Sequence, residues 1–443
     1  MNNMTDKNYN IIIKAPFLTQ SGYGVHARQL ARWALDYADT NESVSVSFEP
    51  VPWGMTPWLV DRSAEDGLVG RIIERCVKAD STTFDISYQL MLPNEWKQMA
   101  TVNVGMTALV EADRCNPEWI DCINRMNLVL VPSKFVQNTI INTAKLTNKE
   151  LATPVVVVPE SYITSIDKTD TELSSAFESV DLRLSNIKTK KNVLLYGQIT
   201  AHGSNFIDGD RKNLGMTVKW LCEKFANQTD VGIIIKTNSG RNTNVDRVTS
   251  QQLLTQLLAE VEVHMQHSQA SRKGKKGDKA PELPLVYLLH GDMTSDEVAA
   301  LFRHPKVTCI ASLTHGEGFG LPLLEAAASS LPVIATNWSA HTEFLNLGKW
   351  NKIDYAMGQV PESKCDNNIW MNGSSWANPK EDDFKKKISR AISNPQVPVE
   401  WARDLSKKIK ENYSESVVSS LYTSVNDRII SQIQEREAQA KQS

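Results

Sequence analysis

The chain has 443 residues, 41% of them hydrophobic and 22% charged, and carries a formal net charge of −3. That length suits two domains of ordinary size, and the composition is that of a folded globular protein rather than a disordered or fibrous one. The near-neutral balance excludes an overall basic field that would draw the chain to nucleic acid or to membranes, so any polyanion would have to be met by a local patch. Six cysteines are scattered without a Cys-x-x-Cys pair, which argues against a zinc knuckle or a disulfide framework. Met1 is followed by polar residues rather than a basic stretch and an apolar core, so no signal peptide is expected. No apolar run approaches the roughly 18 residues of a membrane span, and a reduced cytoplasmic compartment is expected.

Asn10–Lys14 reads as a short strand, followed by Ser21-Gly22-Tyr23-Gly24 and a helical pattern from Val25 to about Tyr37. Strand, glycine turn and helix form the opening of a Rossmann-like unit. Val44–Phe48, Asp85–Gln89 and Val102–Met106 read as further strands. Leu128–Val131 is nearly all apolar, as a buried parallel strand should be, and Thr153–Val158 follows it. The polar stretch Thr164–Lys191 reads as part loop and part link. Asn192–Tyr196, Val231–Lys236, Leu285–His290, Val307–Ala311 and Val333–Ala335 then alternate with helices, which implies parallel sheets covered on both faces. Gln266–Pro284 interrupts the pattern with the glycine-spaced basic run Arg272–Lys279, read as a solvated loop or as a clamp on a phosphate backbone. The last segment is helical in pattern, with a polar end expected to fray.

The most informative stretch is His315-Gly316-Glu317-Gly318-Phe319-Gly320-Leu321-Pro322-Leu323-Leu324-Glu325. Its glycines let backbone amides approach a ligand, Pro322 suits a first helical turn, and a helix N-terminus is a natural anion site. One carboxylate precedes this phosphate cradle and the other lies about two turns into the helix. Carboxylates accept hydrogen bonds from hydroxyls, so a sugar and a ribose are natural partners.

This Glu-x7-Glu pattern around Gly-Phe-Gly-Leu-Pro resembles the signature of retaining glycosyltransferases of family 4, which have the GT-B fold. The resemblance continues through Leu331–Thr336 and His341-Thr342-Glu343. It implies an α/β protein of two Rossmann-like domains facing a central cleft. The expected division is 1–185 on the acceptor side, 186–415 for the nucleotide sugar, and a terminal helix over 416–443 crossing back to the first domain. Glu317 would orient the donor sugar and Glu325 would hold the nucleotide ribose. The amides of Gly318, Phe319, Gly320 and Leu321 would bind phosphate. Lys212 matches the family's lysine for the departing diphosphate. The arginine usual just after the strand glycine is replaced by Gln198, leaving its role to Gln198 or Arg211. The backbone at Met293 would meet the nucleobase, and Gly22, Tyr23 and Gly24 would face the diphosphate.

Developing charge on a leaving diphosphate must be neutralised, and here lysine and arginine would supply the cation. No metal-binding Asp-x-Asp pattern stands in a suitable place, since Asp382-Asp383 lies in a polar helix, so a reaction without metal or resident cofactor is expected. Glu111 and Asp113 are candidates to grip acceptor or sugar hydroxyls, with a cap and ion pair as the competing reading. His26 is a candidate for a direct role or a structural one. The block Asn103–Arg114, with Pro132-Ser133-Lys134-Phe135, resembles glycosyltransferases of tailed bacteriophages. That makes hydroxymethylated cytosine in DNA one acceptor to consider, reached with the Arg272–Lys279 run. A saccharide or lipid-linked sugar is the other. A nucleotide-sugar epimerase or hydrolase would share the fold.

Overall fold

The computed structural model describes residues 8–77, 83–200, 205–207, 211–271 and 281–442. In chain order, the first half contains strands β1 (Tyr9–Ala15), β2 (Val44–Pro50), β3 (Phe84–Leu90), β4 (Ala100–Met106), β5 (Leu128–Val131) and β6 (Val155–Val157). Between them lie helices α1 (Gly22–Thr40), α2 (Leu68–Glu74), α3 (Glu118–Asn124) and α4 (Lys134–Leu146). The strands form one parallel sheet in the order β2-β1-β3-β4-β5-β6. Each strand predicted from the sequence in this half is present, within a few residues at its ends.

The second half holds α5 (Ser174–Arg183), β7 (Lys191–Tyr196), α6 (Leu214–Lys224), β8 (Val231–Thr237), α7 (Asn244–Ser271), β9 (Leu285–His290), α8 (Ser295–Arg303) and β10 (Val307–Ser312). It continues with α9 (Leu321–Ala328), β11 (Val333–Thr336), α10 (His341–Leu345), β12 (Asn351–Ile353), β13 (Tyr355–Gln359), β14 (Ser375–Pro379), α11 (Glu381–Ser393) and α12 (Gln396–Tyr413). A second parallel sheet runs β12-β11-β10-β7-β8-β9, while β13 and β14 pair as a separate antiparallel hairpin. The last helix, α13, spans Glu415–Gln442.

The chain divides into two compact units, one of Met1–Ser161, Glu362–Asn372 and Asn412–Ser443, the other of Tyr162–Pro361 and Gly373–Glu411. The boundary expected near 185 therefore falls at 161/162. The polar segment read as a link is tied to the second unit by specific bonds. Lys168 Nζ donates to Asp296 Oδ1 at 2.8 Å, Arg183 pairs with Glu297 at 3.4 Å, and the Arg303 guanidinium donates to the carbonyl of Lys168 at 2.8 Å. Residues 362–372 join the first unit because Ile369 and Trp370 pack on its cluster around Trp119, and Asn116 Nδ2 donates to the carbonyl of Asn368 at 3.2 Å.

Both faces of the first sheet are covered. One face packs against α1, α2 and α13, with Trp33, Tyr88, Tyr422 and Ile429 in its core. The other packs against α3 and α4 through Trp119, Ile120, Val136 and Ile140. α13 is thus part of the first unit's core, as expected of a terminal helix returning to it. Its polar contacts repeat that assignment: the Tyr88 hydroxyl donates to Asn426 Oδ1 at 2.9 Å and Trp33 Nε1 to Thr423 Oγ1 at 3.0 Å. In the second unit, the apolar face of β7, β8 and β10 packs against α6, α7 and α11. Among the described residues no helix is long and apolar enough to cross a membrane. The basic run Arg272–Lys279 lies outside the described residues.

Candidate active site

β7 sits between β10 and β8, so the chain turns to opposite sides on leaving it and on reaching β10. That switch point is where open α/β sheets leave a crevice at the carboxyl ends of their strands. Two loops meet there: the one after β7, carrying Arg211-Lys212-Asn213, and the one after β10, carrying Leu313–Gly320.

The second loop is buried throughout and is held by its own hydrogen bonds. Thr314 Oγ1 donates to the carbonyl of Gly316 at 2.7 Å, and the His315 ring donates through Nδ1 to the carbonyl of Ala377 at 2.7 Å. That ring also stacks on Trp376 with centroids 4.2 Å apart. The Glu317 amide donates to Ser339 Oγ at 2.8 Å. Gly320 caps α9 at φ +101°, a left-handed conformation costly for any residue with a side chain. Phe319 is core, packed near Phe344, so only its backbone can serve a ligand.

The two loops are laced together. The His315 amide donates to the carbonyl of Arg211 at 3.0 Å, and Asn213 Nδ2 donates to the carbonyl of Leu313 at 3.1 Å. Gly215 sets how closely the first loop and α6 pack: a Cβ there would lie 2.0 Å from the carbonyl oxygen of Phe206. These contacts bring Lys212 Nζ onto the Glu317 carboxylate as a hydrogen-bonded ion pair. Burial would push the Glu317 pKa up, but the charges of Lys212 and Arg211 outweigh it and hold the carboxyl below its ordinary range. His341, also buried, donates through Nε2 to the carbonyl of Thr336 at 2.6 Å and packs beneath Gly320.

Glu325 is different. It lies on the inner face of α9, 8% exposed, and its carboxylate makes no side-chain hydrogen bond among the described residues. Burial alone pushes its pKa up to about 8. A buried carboxyl without donors is the complement of a hydroxyl-bearing ligand. The sign of its effect on stability follows. The folded-state pKa lies above the ordinary value of 4.5, so Glu325 stabilises the fold below that value, and the contribution is lost as pH rises through about 8. The unliganded melting temperature of Glu325→Gln should therefore gain on that of the unsubstituted protein between pH 5 and pH 8. Parallel melting curves across that window would contradict an unpartnered Glu325.

Of the other residues expected in the donor site, Met293 follows the Gly291-Asp292 turn at the end of β9 and is half-buried. Gln198 is exposed and donates Nε2 to the carbonyl of Asn238 at 2.6 Å, so it is engaged at the β8 end and not at Glu317. Arg211 is the residue whose charge reaches Glu317. Sequence reasoning missed Lys236, Asn238, Ser339 and the structural part of His315. Lys236 had a legible signal, a single lysine closing the apolar strand Val-Gly-Ile-Ile-Ile-Lys.

The remaining candidates belong to the first unit. Gly22 is exposed, with open space where a Cβ would be. Gly24 is sterically required, since a Cβ would lie 2.0 Å from the carbonyl oxygen of Thr19. The Tyr23 ring stacks on Trp53 at 4.0 Å, and its hydroxyl meets Thr107 Oγ1 at 3.1 Å while accepting from the Ala108 amide at 2.9 Å. That hydroxyl fastens the loop leading to Glu111, which is half-buried. Asp113 pairs with Arg114 at 3.6 Å. His26 is buried with Nε2 3.0 Å from the Tyr422 hydroxyl, and burial lowers its pKa to about 3. It is a neutral core residue joining α1 to α13, which favours its structural reading. Asp383 is likewise structural, accepting from the Asp354 amide and from Lys387, both at 2.8 Å. Among the described residues no group of three or more His, Cys, Asp or Glu side chains could hold a metal ion.

Residues 282–412 match the family model of glycosyl transferases group 1, a span that includes Glu317 and Glu325. Solved GT-B glycosyltransferases share the fold over nearly the whole chain. A glycosyltransferase from Rickettsia africae superposes with a TM-score of 0.59 at 12% identity, covering 96% of this chain and 99% of that one. Sucrose-phosphate synthase from Thermosynechococcus elongatus gives 0.57 at 10% identity, covering 96% and 100%. HepE from Anabaena, solved with UDP and glucose, gives 0.52 at 12%, covering 95% and 100%. No curated protein sequence matches the chain. The fold is GT-B, and with the family match it supports the class of group 1 glycosyltransferases.

Proposed function

We propose that the protein is a retaining glycosyltransferase that moves a sugar from a nucleoside-diphosphate donor to an acceptor hydroxyl. The observation that carries this reading is the Lys212–Glu317 pair at the sheet's switch point, one loop away from the buried carboxyl of Glu325, which has no side-chain hydrogen bond among the described residues. A cation, an ionised carboxylate and a buried hydroxyl acceptor are the three groups a sugar nucleotide asks for. HepE, solved with UDP and glucose, supports a ligand of this kind for the fold.

In this mechanism the bond between the sugar's anomeric carbon and the leaving phosphate oxygen breaks. The acceptor oxygen bonds to the same face of that carbon, and the acceptor's proton passes to the leaving phosphate. Glu317 orients the sugar hydroxyls, Glu325 accepts from the ribose, and the Gly318–Leu321 backbone with Lys212 and Arg211 receives the diphosphate. The cations stabilise charge that grows as the bond breaks, so their effect falls on the transition state. The reading needs no metal and no resident cofactor, since lysine and arginine meet the leaving group.

The proposed acceptor is hydroxymethylated cytosine in DNA, supported by the phage-like block Asn103–Arg114 and the basic run Arg272–Lys279. The deciding experiment measures nucleoside-diphosphate release from UDP-, GDP- and ADP-sugars, with and without hydroxymethylcytosine DNA. Release that requires the DNA supports both donor and acceptor readings. Release indifferent to DNA keeps the donor half, overturns the DNA half and points to saccharide or lipid-linked acceptors. No release and no nucleotide binding would overturn the transferase reading.

A further inference from the structure

β8 is buried at all seven positions, and Lys236 is its one ionisable residue, 3% exposed. A buried ammonium is costly unless protein acceptors replace its water. Lys236 Nζ has two: the carbonyl of Gly291 at 2.6 Å and Asn238 Oδ1 at 2.5 Å. It lies 6.0 Å from the centroid of the Tyr196 ring at the end of β7.

Gly291 is the first residue beyond β9 and has φ +103°. Its amide donates to the carbonyl of Thr237 at 3.1 Å, so both of its backbone polar groups are fastened to the end of β8. The next residue is fixed from the same side, because Asn242 Nδ2 and Asn238 Nδ2 both donate to Asp292 Oδ1. Met293 follows directly. A leucine or methionine in place of Lys236 would fill the strand without burying a charge, so the ammonium's distinctive contribution is the grip on this turn.

We propose that Lys236 is a positioning residue for the donor, holding the Gly291–Met293 turn as the shelf against which the nucleobase rests. The inference rests on the donor reading above and extends it to a residue outside the glycine loop and the Glu-x7-Glu pattern. Lys236 acts through Gly291 and, by way of Asn238, through Asp292, and does not touch the reacting atoms.

The test compares the full-length protein with Lys236→Met by calorimetry, using UDP, GDP, ADP and inorganic pyrophosphate as probes. Steady-state KM and kcat for the matching sugar nucleotide are measured alongside. A misplaced shelf should weaken the preferred nucleotide at least about tenfold and raise the donor KM similarly, with kcat at saturation retained. Pyrophosphate, which lacks the base, should bind both proteins alike. Equal nucleotide affinity in the two proteins would overturn the proposal, as would an equal loss for pyrophosphate, which marks general damage. Asn238→Ala, which keeps the charge but removes an acceptor of Lys236 and the Asn238 donor to Asp292, should show the same base-confined loss in smaller measure if Lys236→Met does not fold. If the unsubstituted protein binds no nucleotide and no pyrophosphate, the donor reading itself falls, an outcome distinct from a failure of Lys236 alone.

Discussion

Replacing Glu317 with glutamine should lower sugar transfer by at least about 10²-fold while leaving a cooperatively folding protein, because the loss is one of donor orientation. Glu317 is 7% exposed and paired with Lys212, and its carboxyl is held below the ordinary range. It is therefore ionised across the neutral range, and glutamine removes a charge that is always present. The glutamine amide keeps the side chain's size and one acceptor oxygen, and the backbone bond from Glu317 to Ser339 is untouched. Nucleoside-diphosphate binding should survive, since Glu325 and the loop amides remain. Single-turnover transfer with calorimetric binding separates the two effects. Near-normal transfer would remove Glu317 from the site.

The sequence made the Glu317–Glu325 loop-helix junction of the second unit legible because its pattern is local. Glycines, Pro322 and two glutamates within one loop-helix junction carry their geometry in their spacing. What it left unread depends on contacts between distant segments. Lys236 gains its meaning from Gly291, fifty-five residues on, and His315 from Trp376 and Ala377 in a hairpin that gave no strong strand signal. The boundary near 185 was misplaced for a related reason. Thr164–Lys191 is polar, and polar composition reads as linker, yet Lys168 and Arg183 spend their charges on Asp296 and Glu297 of α8. Residues 362–372 defeat a linear division altogether, since they leave the second unit and pack on the first unit's core. His26 stood open between a direct role and a structural one, and its burial against Tyr422, far from it in sequence, favours the structural one.

Lys212→Met should reduce kcat by roughly 10²–10³-fold, the usual cost of losing one electrostatic group aimed at developing charge. This substitution also changes stability, which must be separated from catalysis. Lys212 is the hydrogen-bonded partner of a buried carboxylate, and removing one member of such a pair typically costs about 3–5 kcal/mol unless the carboxyl takes up a proton. Arg211 remains to offset part of that charge. The single variant should thus melt earlier than the unsubstituted protein, and most strongly above pH 5, where Glu317 would otherwise be ionised. The sign follows from the pair. Lys212 lowers the folded-state pKa of Glu317, so the stability it confers is present above the ordinary carboxyl pKa of 4.5 and is lost as pH falls. In Lys212→Met/Glu317→Gln the buried charge is gone together with its partner, so much of the melting temperature should return. Transfer should not return, because neither the cation for the diphosphate nor the carboxylate for the sugar is restored. A double variant that recovers both stability and turnover would make the pair a structural bridge and would move the chemistry elsewhere.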